Sequence, residues 1–95
     1  MKTPTFQLSL PVTILREGDA FVAHTPALDL STVGNSLEEA QKNFSEAVNL
    51  FLEEAYSMGT LDDVLNEMGW KRKAQDWVPP VVVEHNSQTF QIPLS

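Results

Sequence analysis

From Phe6 the chain alternates. Phe6, Leu8, Leu10, Val12 and Ile14 are apolar, and Gln7, Ser9, Pro11 and Thr13 stand between them, with Leu15 closing the second set. A period of 2 predicts a strand with one buried face. Pro11 has no amide to give to a ladder, so the strand is an edge there or is bulged and interrupted. Glu17-Gly18-Asp19 predicts a turn, Ala20 to Thr25 a second strand, and the short connection an antiparallel hairpin. Pro26 ends that strand and holds Thr25 extended. Leu28 to Val33 reads as a third strand, with Leu28, Leu30 and Thr32 on one face and Asp29, Ser31 and Val33 on the other, closed by Gly34-Asn35.

The period then changes. Leu37, Ala40, Phe44, Ala47, Val48, Phe51 and Ala55 form one stripe at helical spacing, which must lie on the sheet. Ser36 is placed to cap this helix by accepting from the Glu39 amide, while the Glu39 carboxylate reaches back to Ser36. Glu38 and Lys42 stand at the i,i+4 spacing of a surface ion pair. Gly59 ends the helix, Thr60-Leu61-Asp62-Asp63 resembles another cap, and Leu61, Val64, Leu65 and Met68 predict a second helix of about two turns stopping at Gly69. Trp70 to Pro80 reads as a connecting loop anchored by Trp70 and Trp77. Val81 to Glu84 and Thr89 to Leu94 read as two strands about His85-Asn86-Ser87-Gln88, with Pro93 marking an edge or an end.

With 95 residues the chain has room for one small domain, 1–95, with its core at about 6–57 and a short helix and β tail at about 60–95. The fold class is α+β: a three-stranded antiparallel sheet plus C-terminal strands, covered by one long helix. No cysteine is present, so there is no disulfide framework and no thiolate site. The run Val81-Val82-Val83 is far short of the ~20 apolar residues that span a bilayer. The N-terminus has one Lys and no unbroken apolar region, which predicts no signal peptide and a cytoplasmic chain. A formal charge of −7 suits a basic protein partner rather than a phosphate backbone.

The carboxylates offer little chemistry. Glu38-Glu39, Glu53-Glu54 and Asp62-Asp63 are adjacent pairs, and neighbours on a helix point about 100° apart, as expected of a solvated surface. His24 and His85 are isolated and lack ligand spacing. No serine sits in a nucleophile elbow and no Gly-rich loop could cradle phosphate. An enzyme is therefore not expected, and neither a metal nor a cofactor. Lys71-Arg72-Lys73, between the two Trp, is a basic cluster with too few charges for a nucleic-acid footprint. Glu39, Glu46 and Glu53 form a ridge opposite the apolar stripe with Leu50 beside it. A solvent face would look the same, but Leu50 also suits a partner or oligomer interface.

The run Ala20-Phe21-Val22-Ala23-His24-Thr25-Pro26-Ala27-Leu28-Asp29, then Val33-Gly34-Asn35-Ser36-Leu37-Glu38-Glu39-Ala40 and Glu46-Ala47-Val48, resembles the HicB-like antitoxin family. Asn35 and Ser36 stand where that family carries Asp-Thr, and His24 where an aromatic residue is frequent. The similarity covers roughly 8–57, and Leu61 to Trp70 is similar to a short helix found in some members. The resemblance implies a partial ribonuclease-H-like arrangement without its active site, and an antitoxin that occludes a small basic HicA-type ribonuclease toxin. Family members usually append a DNA-binding segment. Here the tail is Pro-containing and offers no recognition helix, which puts direct DNA binding in doubt. The expected partner surface is Glu17, Asp19, Glu39, Glu46, Leu50 and Glu53. A homodimer is also expected, with Val81, Val83, Phe90 and Ile92 at its interface; a solitary self-associating module with no toxin is the alternative.

Overall fold

The computed structural model describes residues 8–74, 76–81, 83–84 and 86–94. Among these described residues seven elements follow in order: β1 (Thr13–Glu17), β2 (Ala20–Thr25), β3 (Leu30–Gly34), α1 (Leu37–Ser57), α2 (Leu61–Glu67), β4 (Lys71–Lys73) and β5 (Asp76–Val78). β1, β2 and β3 form an antiparallel sheet in that order, and β4 and β5 form a separate antiparallel pair.

Gly18, at φ +58, is the first residue of the β1–β2 turn, where a tight hairpin needs a left-handed residue. The ladder runs from Glu17↔Ala20 to Thr13↔His24 and stops there. The long first strand expected from Phe6 therefore does not form among the described residues, and Phe6 itself lies outside them. The register explains the stop: one further step would set Val12 against Thr25, and the next Pro11 against Pro26, two residues without amides. Leu8 and Leu10 pack onto the core from irregular chain instead.

β3 begins at Leu30, later than the expected Leu28. Pro26 to Asp29 is a turn in which the Asp29 amide donates to the Pro26 carbonyl at 3.3 Å and Asp29 takes φ 49. Leu28, expected on a strand, is carried by this turn into the core and is buried.

α1 covers β3 and β2. Ala40, Phe44 and Ala55 are buried, while Ala47, Val48 and Phe51 are half-buried. Leu37, at the head of the expected stripe, is 46% exposed, because β3 ends at Gly34 and no strand lies beneath the first helical residue. Gly34 is needed for close approach: a Cβ there would sit 2.4 Å from the Ala40 amide nitrogen. Ser36 accepts from the Glu39 amide at 3.1 Å, as expected. Among the described residues, the Glu39 carboxylate makes no return bond and Glu38 makes no ion pair with Lys42.

Both helices end in the same way. Gly59 (φ +71) follows α1 and Gly69 (φ +89) follows α2. Each is followed by an amide that donates back to a carbonyl five residues earlier: Thr60 to Ala55 at 2.9 Å and Trp70 to Leu65 at 2.9 Å. These are two Schellman motifs, in which a left-handed glycine lets the orphan carbonyls of the last turn find partners. The cap expected at Thr60 does not form. Its hydroxyl donates to the Ala55 carbonyl at 3.3 Å and so closes α1 instead of opening α2.

The second motif delivers Trp70, 1% exposed, into a cluster with Ala27, Leu28, Ala55, Leu61 and Leu65. Its indole Nε1 donates to the Ala27 carbonyl at 2.7 Å, which ties the segment after α2 to the β2–β3 turn. Ala23, Ala40 and Phe44 make a second cluster under α1, and Leu30 and Val48 touch both.

Two further expectations are corrected. The segment after Trp70 is a short hairpin rather than a loop: Lys71 pairs with Val78, Arg72 with Trp77 and Lys73 with Asp76. The described residues beyond Val78 carry no strand, so the expected terminal hairpin is absent among them; Val82 and His85 lie outside the described residues. An isolated pair of strands with no core beneath it is marginal in water, and the described residues beyond Val78 belong to neither core cluster.

Candidate interaction surface

The expected partner residues fall in two places. Glu17 and Asp19 flank Gly18 at the hairpin end of the sheet, and both are exposed. Glu39, Glu46 and Glu53 are spaced by two helical turns, about 10 Å apart along α1, with Leu50 57% exposed beside them. The register Phe21↔Gly34 puts the start of α1 at the same end of the sheet as the hairpin turn. Glu39 is therefore the member of the ridge placed toward Glu17 and Asp19, and Glu53 lies four turns away.

α1 carries Glu38, Glu39, Glu46, Glu53 and Glu54 against a single Lys42. Glu38 and Glu39 sit in its first turn, where the partial positive charge of the helix end favours them. Glu53 and Glu54 sit at the other end, which has no basic residue in its last turn. There the exposed carbonyls oppose them, and each misplaced charge costs about 0.3–1 kcal/mol at low salt.

The basic cluster divides. In β4, alternation sends Lys71 and Lys73 to one face and Arg72 to the other. Arg72 lies 3.5 Å from the Asp62 carboxylate and 5.9 Å from the centre of the Trp77 ring. His24 is engaged in its own sheet, Nδ1 lying 2.7 Å from the Ser31 hydroxyl across the β2–β3 ladder. Among the described residues no group of three His, Cys, Asp or Glu side chains is placed to hold a metal ion, and no helix is long and apolar enough to cross a membrane.

The expected interface residues of the tail are exposed: Val81 76%, Val83 94%, Phe90 78% and Ile92 80%, with Leu94 at 93%. The sheet brings together two features that the sequence does not display. On the face away from α1, Leu15, Val22 and Val33 stand directly across from one another, and Leu15 and Val33 are half-exposed. On the helix side, a recess of about 340 Å³ opens beside the start of β1, lined by Leu8, Leu10, Val12, Phe44 and Val48 with Ser45 and Asn49. Leu15 was visible as the apolar member of an otherwise polar set, but only the register shows its neighbours. Comparison of the chain with protein-family models, curated proteins and solved structures finds no match in any of the three.

Proposed function

We propose that this is a non-catalytic, antitoxin-like protein that binds and neutralises a small basic ribonuclease toxin of the HicA type. The carrying observation is the outward face of α1, five carboxylates against one lysine, with Glu53 and Glu54 held where the helix end disfavours them. A basic partner would relieve that repulsion on binding and would be steered toward the acidic chain over several ångströms. The order of elements, a three-stranded antiparallel sheet followed by one long covering helix, is compatible with the family resemblance of residues 8–57. The protein would act by covering the toxin, and none of its own side chains would take part in a reaction.

The test is co-purification with the product of the adjacent reading frame. A small basic protein that binds, and whose affinity falls at least tenfold when Glu46→Lys and Glu53→Lys are introduced together, supports the reading. No such protein, or binding indifferent to the charge reversal, removes it.

A further inference from the structure

We propose that residues 90–94 of one copy add, antiparallel, to the free edge of β1 in a second copy, reciprocally, so that two chains form a strand-exchanged dimer. This stands independently of the toxin reading, since it uses neither the α1 carboxylates nor a foreign partner.

The sheet has two edges, and they are unequal. Along β3, Asn43 of α1 donates its side-chain amide to the Val33 carbonyl at 2.9 Å, which takes up one outward-facing group of that edge. Along β1 nothing among the described residues does so. Gly18 and Asp19 form a two-residue turn, so Glu17 and Ala20 bracket it as a hydrogen-bonded pair, and so do the alternate pairs Leu15↔Val22 and Thr13↔His24. The amides and carbonyls of Ile14 and Arg16 then point outward with no partner among the described residues. Such an edge pairs with any extended chain of suitable pattern.

The same chain supplies one. Phe90, Ile92 and Leu94 alternate with Gln91 and Pro93, and their exposures of 78%, 80% and 93% leave them without cover. Pro93 fixes the orientation. It has no amide to donate, so it must point away from β1, which turns the amides of Ile92 and Leu94 toward it. In an antiparallel pair, residues whose amides face each other share a face of the sheet. Ile92 therefore lies on the face of Ile14, the helix side. Setting Ile92 opposite Ile14 brings Leu94 to Val12, at the wall of the apolar recess.

Charge and area both permit the exchange. Two chains of −7 repel, but residues 79–95 carry one formal charge, Glu84, and β1 balances Arg16 against Glu17. A buried Val, Leu, Ile or Phe side chain withdraws roughly 60–120 Å². The three side chains Phe90, Ile92 and Leu94 from each of two tails bury about 360–720 Å², and with the receiving surfaces the total of about 700–1,400 Å² overlaps the roughly 1,200–2,000 Å² of a stable interface.

The native chain lacks cysteine, so cross-links report pairing without background. Full-length protein should sediment as a dimer at about 100 μM, a working concentration for moderate affinities. Phe90→Asp with Ile92→Asp should leave it monomeric with an unchanged circular dichroism spectrum. Val12→Cys with Leu94→Cys should give a covalent dimer on non-reducing gels, and Leu15→Cys with Leu94→Cys should not. A monomeric parent, a dimer that survives the two aspartates, a Val12–Leu94 cross-link within one chain, or cross-linking from Leu15 instead would each overturn the proposal. None of these outcomes bears on toxin binding.

Discussion

Trp70 does two jobs with one side chain. Its ring fills the larger core cluster, and its indole nitrogen satisfies the Ala27 carbonyl at a turn whose central residues, Ala27 and Leu28, are buried. Trp70→Phe would retain most of the packing but leave that carbonyl without a donor, at a cost of about 1–3 kcal/mol. For a domain of this size each kcal/mol is worth about 4–8 °C, so the melting temperature should fall by roughly 10 °C. Thermal unfolding followed by circular dichroism measures this. A fall of only about 2 °C, well under the shift expected for 1 kcal/mol, would mean that the bond to Ala27 contributes nothing net. Thr25 is the opposite case: it is fully buried and its hydroxyl has no partner among the described residues. The fold tolerates that cost at a position where Pro26 already holds the backbone extended.

At the scale of elements, α1 sets a stabilised start against a strained end. Ser36 caps its first turn and Gly59 closes its last, yet Glu53 and Glu54 add negative charge to a C-terminus that is already electronegative. Glu53→Gln with Glu54→Gln should therefore raise unfolding free energy by about 0.5–2 kcal/mol at low salt, with the gain shrinking in 1 M salt. If the acidic face serves a basic partner, the same pair should bind it more weakly, so stability and affinity would move in opposite directions. Urea titrations beside a binding isotherm would show whether they do. The signals that define α1 are local, a cap, a stripe and a glycine, and the sequence therefore displays them plainly. β4 and β5 carry no such signals. Lys71-Arg72-Lys73 has no apolar alternation, and the chain leaves β4 through Ala74 at φ 58, where a sequence reading looks for glycine. The tail shows the reverse error. Its alternation is that of a strand, but a strand is a relation between two segments, and the described tail residues have no second segment beside them. The carboxylates of the candidate surface were legible as exposed. Their division between a hairpin turn and a helix face was legible too; that Glu39 lies at the hairpin end was not, because it depends on the register of Phe21 against Gly34.

The whole molecule measures 63 × 29 × 22 Å with a radius of gyration of 16.7 Å, against about 13 Å for a compact domain of similar length. Pro80 is the last residue seen against the body, its ring 3.3 Å from where a Cβ on Gly69 would sit, and every residue described after it is exposed. Ending the chain at Pro80 should accordingly change the unfolding free energy of the dilute protein by no more than about 0.5 kcal/mol. Concentration then separates a tail that binds nothing from one that binds a second copy. If tails are exchanged, the full-length chain gains stability by mass action, and its melting temperature rises with protein concentration, whereas that of the shortened chain does not. A melting temperature independent of concentration in both would show that the tail contributes nothing to assembly. A rise in both would place the contact on the body of the domain, where the cross-strand row of Leu15, Val22 and Val33 and the exposed Leu50 of α1 are apolar surfaces that would account for it.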